Sequence, residues 1–210
     1  MTITNEAYMT IKGQINSEFE EEKSIFITTS KYVESEDEAL EFIEQINDKY
    51  KDATHNCYAY IINQIPEVKR YSDDGEPQGS AGLPMLSVLE KENLKNIAVV
   101  VTRYYGGKKL GKGGLIRAYT RGVSECIKDK ILYKRPFFEV KLTHAYTVLG
   151  SIENFLSEKK YKIINKDFLD VVKVSLYIRE DEFENFKKTL IDMTSANIEI
   201  EIIDNIMLFD

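Results

Sequence analysis

The fold class that this 210-residue sequence predicts is α+β, arranged as two domains. Three observations carry the prediction. Strand patterns come in neighbouring pairs before and among the helices of the first 135 residues. The pattern then breaks at Lys134-Arg135-Pro136, which reads as a linker. From Phe137 onward the order becomes β-α-β-β-α-β, the split βαβ or ferredoxin-like arrangement. The domains are therefore expected at 1–135 and 136–210.

Taken in order, Met9 to Phe19 and Ser24 to Thr29 alternate as two strands joined by the polar turn Glu20-Glu21-Glu22-Lys23. Ser35 followed by Glu38 is a capping-box signature for a helix whose buried side is Leu40, Ile43 and Ile46. Residues 55–62 and 68–72 read as strands, and after Ser80 a helix runs to about Glu90, with Pro84 tolerated in its first turn. Ile97 to Val101 is five apolar residues, three of them valine, which suits a strand covered on both faces. Leu115, Ile116, Tyr119, Val123, Cys126 and Ile127 recur at helical spacing. In the second domain strands are expected at 137–143, 161–167, 170–178 and 197–208, and helices at 146–158 and 180–193. Ile152, Phe155 and Leu156, like Phe183, Phe186 and Leu190, are spaced for core packing.

Charge is distributed unevenly. The chain carries a net −7, yet from Arg103 to Arg135 ten basic residues face only Glu125 and Asp129, a local net of +8. Within this segment Arg103, Tyr104, Tyr105, Gly106, Gly107, Lys108, Lys109, Gly111, Lys112, Gly113 and Gly114 form a basic, aromatic, glycine-rich turn between a strand and a helix. That geometry aims backbone N–H groups and the positive end of a helix at an entering anion. Arg117, Arg121 and Lys128 extend it along the helix, opposite the apolar stripe. A solvated helix face would also carry charge, but a random one on an acidic protein would mix Glu with Lys. The pattern predicts a nucleic-acid or phosphate contact at these residues. Gly106, four residues, Gly111 and Lys112 approach the P-loop pattern, but Gly113 replaces the Ser or Thr that holds Mg²⁺. Nucleotide hydrolysis by that route is not expected.

A second informative segment is Ser72-Asp73-Asp74-Gly75-Glu76-Pro77-Gln78-Gly79-Ser80-Ala81-Gly82. Its carboxylates suit a turn, a metal site, an acid/base pair, or pairing of Asp73, Asp74 or Glu76 with Arg103 or Lys112 across a cleft; the turn is the commoner use of such residues. His55 and Cys57 share one strand face, where a nucleophilic couple would also need an orienting group that is not evident. His55, Asp73, Asp74 and Glu76 are therefore expected to line a cleft, with no catalytic residue, metal or cofactor assigned. His144 reads as a capping or core residue. The two cysteines, without CxxC spacing, read as reduced thiols. With 43% hydrophobic residues, no basic-headed apolar leader and no run of membrane-spanning length, the sequence predicts a cytoplasmic protein.

The runs Ala53-Thr54-His55-Asn56-Cys57-Tyr58-Ala59-Tyr60, Ser72 to Pro77, Gly79-Ser80-Ala81-Gly82-Leu83-Pro84-Met85-Leu86, Val101 to Gly107, and Leu110 to Tyr119 together resemble the IMPACT/YigZ family. The resemblance covers roughly residues 20 to 130, and the C-terminal part is similar to the second domain of the bacterial two-domain members. It implies an N-terminal domain like the second domain of ribosomal protein S5. It also implies a C-terminal domain like a ferredoxin-like module of elongation factor G, and both point to RNA or the ribosome. Eukaryotic relatives regulate translation through a starvation-sensing kinase pathway and carry an extra N-terminal interaction domain. This sequence has no such extension, so that partner is not expected here.

The resulting expectation is a non-catalytic RNA- or ribosome-binding protein with a role in translational regulation. Phosphates would meet the basic turn and helix, and Tyr104 and Tyr105 would stack on bases. The alternatives are a phosphate- or nucleotide-binding enzyme of small metabolites, using the same loop with the acidic 73–76 turn, and an adaptor docking an acidic protein partner.

Overall fold

The computed structural model describes residues 2–3 and 6–210. The chain forms two compact units, one reaching to Lys134 and including Phe209, the other spanning Arg135–Leu208 with Asp210. The first contains β1 (Thr2–Ile3), β2 (Tyr8–Ile11), β3 (Gln14–Glu21), β4 (Ser24–Tyr32), α1 (Glu36–Lys49), β5 (His55–Ile62), β6 (Gln64–Ile65), β7 (Val68–Ser72), α2 (Gly82–Lys91), β8 (Ile97–Tyr104) and α3 (Gly111–Ile127). β9 (Ile131–His144) begins in this unit and continues into the next.

The main sheet of the first unit is antiparallel, in the order β3-β4-β8-β5-β7. Side chains alternate across it. Cys57, Ala59, Ile61, Ile97, Val99 and Val101 pack with α2 and α3, while Tyr60, Ile62, Ala98 and Val100 pack with Phe42, Ile43 and Ile46 of α1. The five apolar residues at 97–101 are consecutive because both faces of β8 are covered. β2 pairs with the first four residues of β9, and β1 pairs with β6.

In the second unit β9 is followed by α4 (Leu149–Glu158), β10 (Lys162–Phe168), β11 (Val172–Arg179), α5 (Phe183–Thr194) and β12 (Ile198–Phe209), giving a sheet in the order β10-β11-β9-β12. Val140, Leu142, Val172, Val174, Leu176 and Ile178 form one face of that sheet. Ile152 and Leu156 of α4 and Phe183, Phe186 and Leu190 of α5 all pack on it.

Several expectations need correction. The stretch 9–19 is two strands, because Gly13 at φ +67 turns the chain between β2, which pairs with β9, and β3, which pairs with β4. The following turn is only Glu22-Lys23, both at positive φ. Leu40 is 47% exposed, and Ala39 and Phe42 take its place on the buried side of α1, although Ser35 does cap that helix through the Glu38 N–H. Lys134-Arg135-Pro136 is not a loop but lies within β9. Pro136 falls between the residues paired with β2 (131–134) and those paired with β11 (137–144), so neither ladder needs an N–H from it.

Candidate functional site

Antiparallel pairing of β5 with β8 sets His55 opposite Arg103 and Cys57 opposite Val101. Arg103 thereby points to the side covered by α3, under the 72–82 segment, and only 5% of its surface is exposed. Its Nη1 donates to Glu76 Oε1 at 2.6 Å and its Nη2 to Ser24 Oγ at 3.2 Å. Tyr119, on the buried stripe of α3, donates its hydroxyl to the same Glu76 oxygen at 2.8 Å. The guanidinium also lies over the Phe26 ring and beside that of Tyr105, with centroids at 5.4 and 5.5 Å. A buried carboxylate is tolerated here because two groups compensate it, the Arg103 guanidinium and the Tyr119 hydroxyl; the His55 ring lies nearby, its Nε2 3.9 Å from Oε2.

The other two carboxylates of the acidic segment hold backbone. Asp73 Oδ1 accepts from the N–H groups of Ala81 and Gly82 at 3.0 and 2.9 Å, and Oδ2 from Gly79 at 2.8 Å. It thus satisfies the start of α2, whose N-cap residue Ala81 has no capping side chain. Asp74 Oδ2 accepts from the Asn56 N–H at 2.5 Å, and its carbonyl accepts from His55 Nδ1 at 2.7 Å. Glycine is required at 82, where a Cβ would lie 2.6 Å from the Ser72 carbonyl oxygen. The segment is a turn, with Glu76 as the residue that reaches Arg103. Lys112 is not part of this cluster. Among the described residues no group of three or more His, Cys, Asp or Glu side chains is placed to hold a metal.

Cys57 is fully buried, with its sulfur 2.9 Å from the Asp73 carbonyl and 3.4 Å from the Tyr119 hydroxyl. Burial pushes its thiol well above the ordinary range, and the same effect raises Cys126 and the Tyr119 phenol. Since the thiolate is the reactive form, both cysteines should label only as the protein unfolds. Ellman titration in buffer and in guanidinium tests this; a thiol that reacts fast in the native protein would contradict it.

The basic loop is placed differently. Gly106 is clamped to the β3–β4 turn: a Cβ would fall 2.0 Å from the Lys23 backbone, and its N–H donates to Ser24 Oγ at 3.2 Å. Gly107 and Gly111 hold φ +85 and +68, which glycine adopts without strain. Gly113 has neither constraint. Tyr104 donates its hydroxyl to Asp52 at 2.9 Å, while Tyr105 is 45% exposed. α3 starts with no acidic residue in its first turn, and its N-cap residue Leu110 supplies no side-chain bond. Lys108 pairs with Glu22 at 2.5 Å, and Arg121 with Glu125 at 2.8 Å and Glu21 at 3.4 Å, all solvent-exposed and weak by that fact. Lys109, Lys112, Arg117 and Lys128 are exposed, and among the described residues none of them has an acidic partner. Lys108, Lys109, Arg117 and Arg121 line a cavity of about 400 Å³, closed on the other side by Glu21 and Glu22.

The predicted site thus separates into two. Arg103 and Glu76 form a buried pair, with His55 and Asp73 half-buried and Asp74 exposed around it, and the Arg103 guanidinium is directed at Glu76 and Ser24 rather than at the surface loop. Tyr105, Lys108, Lys109, Lys112, Arg117, Arg121 and Lys128 remain at the surface. Sequence reasoning missed Ser24, Tyr119 and the Glu21–Glu22 pair. Tyr119 was legible as a phenol inside an apolar stripe, and the glutamates as an acidic run beside a basic loop.

An α+β chain of two units with this loop and turn pairing matches two protein-family models: the Impact N-terminal domain over residues 22–127 and a domain of unknown function (DUF1949) over 142–197. The chain belongs to the IMPACT family, and it is similar to the bacterial members YvyE and YigZ. It is 41% identical to IMPACT family member YvyE of Bacillus subtilis over 93% of this chain and 90% of that one. It is 33% identical to YigZ of Escherichia coli over 87% and 91%. Protein IMPACT of Homo sapiens is 44% identical over 68 residues, 31% of this chain and 21% of that protein. A solved structure described as a crystal structure of an hypothetical protein superposes with a TM-score of 0.58 at 32% identity, over 95% of this chain and 98% of that one.

Proposed function

We propose that this protein is a non-catalytic RNA- or ribosome-binding factor of translational control, acting in the cytoplasm, with its anion contact on the 105–117 loop and the exposed face of α3. The observation that carries the reading is the set Lys109, Lys112, Arg117 and Lys128: four exposed cations without acidic partners among the described residues, on a molecule of net −7. Coulombic attraction of such a patch for phosphate is local, and it falls with added salt. Tyr105 is the ring placed to stack; Tyr104 is held by Asp52. The same proposal takes the first unit as S5 domain 2-like and the second as ferredoxin-like. The strand order β10-β11-β9-β12, with α4 and α5 packed on one face, supports the second assignment.

The reading as a phosphate- or nucleotide-binding enzyme shares the loop but needs a free carboxylate from the 73–76 turn. Asp73, Asp74 and Glu76 are each committed to other bonds. The direct test is sedimentation of the purified protein with ribosomal particles. Co-sedimentation at low salt, lost steeply between 50 and 200 mM, is expected by counterion release; a protein that stays at the top of the gradient at every salt concentration removes the proposal.

A further inference from the structure

The cavity bounded by the β3–β4 turn and α3 has a composition of its own. Its charged lining is Lys108, Lys109, Arg117 and Arg121 against Glu21 and Glu22, a formal excess of two positive charges. At about 400 Å³ it is within the size range of small-molecule sites. The two glutamates are not loose rim residues. Glu21 is paired in register with Ser24 across the hairpin, and the turn that carries Glu22 is fixed by the close approach of Gly106 to the Lys23 backbone. Glu22 holds Lys108, and Arg121 is held by Glu125, outside the lining, at 2.8 Å and reached by Glu21 at 3.4 Å, while its guanidinium lies over the Phe19 ring at 4.2 Å. Two of the four cations are thus partnered, and Lys109 and Arg117 are left for a guest.

We infer that this cavity is a subsite for a phosphomonoester dianion. The charge decides the class. A phosphomonoester carries about −1.5 to −2 at pH 7, matching the two lining cations, Lys109 and Arg117, that have no acidic partner among the described residues, whereas an internal phosphodiester carries a single charge. The diester would leave one cation unmatched while still meeting the field of Glu21 and Glu22. The glutamates therefore act as a filter that makes the cavity favour a terminal phosphate over a strand passing by. Two sources offer that group, the 5′-phosphorylated end of an RNA strand and a free 5′-mononucleotide. The inference rests on the anion-contact reading above but is narrower than it.

The experiment measures anisotropy of two 3′-labelled single-stranded oligoribonucleotides of one sequence, one with a 5′-phosphate and one with a 5′-hydroxyl, on the full chain. A thermal-shift titration with AMP runs in parallel. The 5′-phosphorylated strand is expected to bind at least ten-fold tighter, with the ratio falling to about one in Arg117→Gln. A shift of the melt by AMP that Arg117→Gln removes also supports the subsite, and if neither oligonucleotide binds, it does so while removing the RNA reading. Equal binding of both strands with no response to AMP overturns the monoester subsite and leaves general RNA contact standing. Absence of binding in every arm overturns both.

Discussion

Arg103→Met lowers the stability of the first unit by about 3–5 kcal/mol, the range found when one partner of a buried ion pair is removed. The side chain lost is 5% exposed, and it leaves the Glu76 carboxylate, itself 3% exposed, with the Tyr119 hydroxyl as its one close donor. Ser24 Oγ loses its contact to Nη2 at the same time, which loosens the Gly106 N–H that shares that oxygen. The thermal midpoint should fall by on the order of 10 °C or more. Glu76→Gln combined with Arg103→Met should recover a substantial part of the loss, because the second change removes the orphaned charge. If the double variant is as unstable as the sum of the singles, the pair is not the source of the effect. An Arg103→Met protein with an unchanged melt and weakened RNA binding would return Arg103 to the anion-contact surface.

Most of the fold was legible because it follows from local rules. The run Ile97 to Val101 announced a strand covered twice, and Ser35 with Glu38 announced where α1 begins. The errors came from information held by distant residues. Pro136 looks like a break until its position between two ladders is known. Leu40 is as hydrophobic as Phe42, and only the position of the sheet decides which of them is buried.

The candidate site was legible in composition but not in division. Arg103 and Arg117 are alike in sequence, each basic and close to glycine. Burial at the end of β8 turns the first into a structural ion, and exposure on α3 leaves the second open. The fate of the 73–76 carboxylates depended in the same way on whether backbone N–H groups from residues 79–82 curl back to meet Asp73.

That division shapes the functional test. Lys112→Glu with Arg117→Glu should abolish most RNA or ribosome binding, on the order of 100-fold or more at low salt, with the thermal midpoint nearly unchanged. Neither residue has an acidic partner among the described residues, so reversing them breaks no ion pair. Reversing Arg121 would be a poorer choice, because its guanidinium lies over Phe19 and is paired with Glu125 and Glu21. Two lost phosphate contacts should also lower the slope of log affinity against log salt by roughly 1.4 for a single strand, about 0.7 for each contact. A fall in affinity with the slope unchanged would mean that the substitutions act through shape rather than charge. Undiminished binding, with the fold intact, would move the contact away from α3 altogether. The slope matters most, since it counts phosphates directly and does not depend on which RNA is offered.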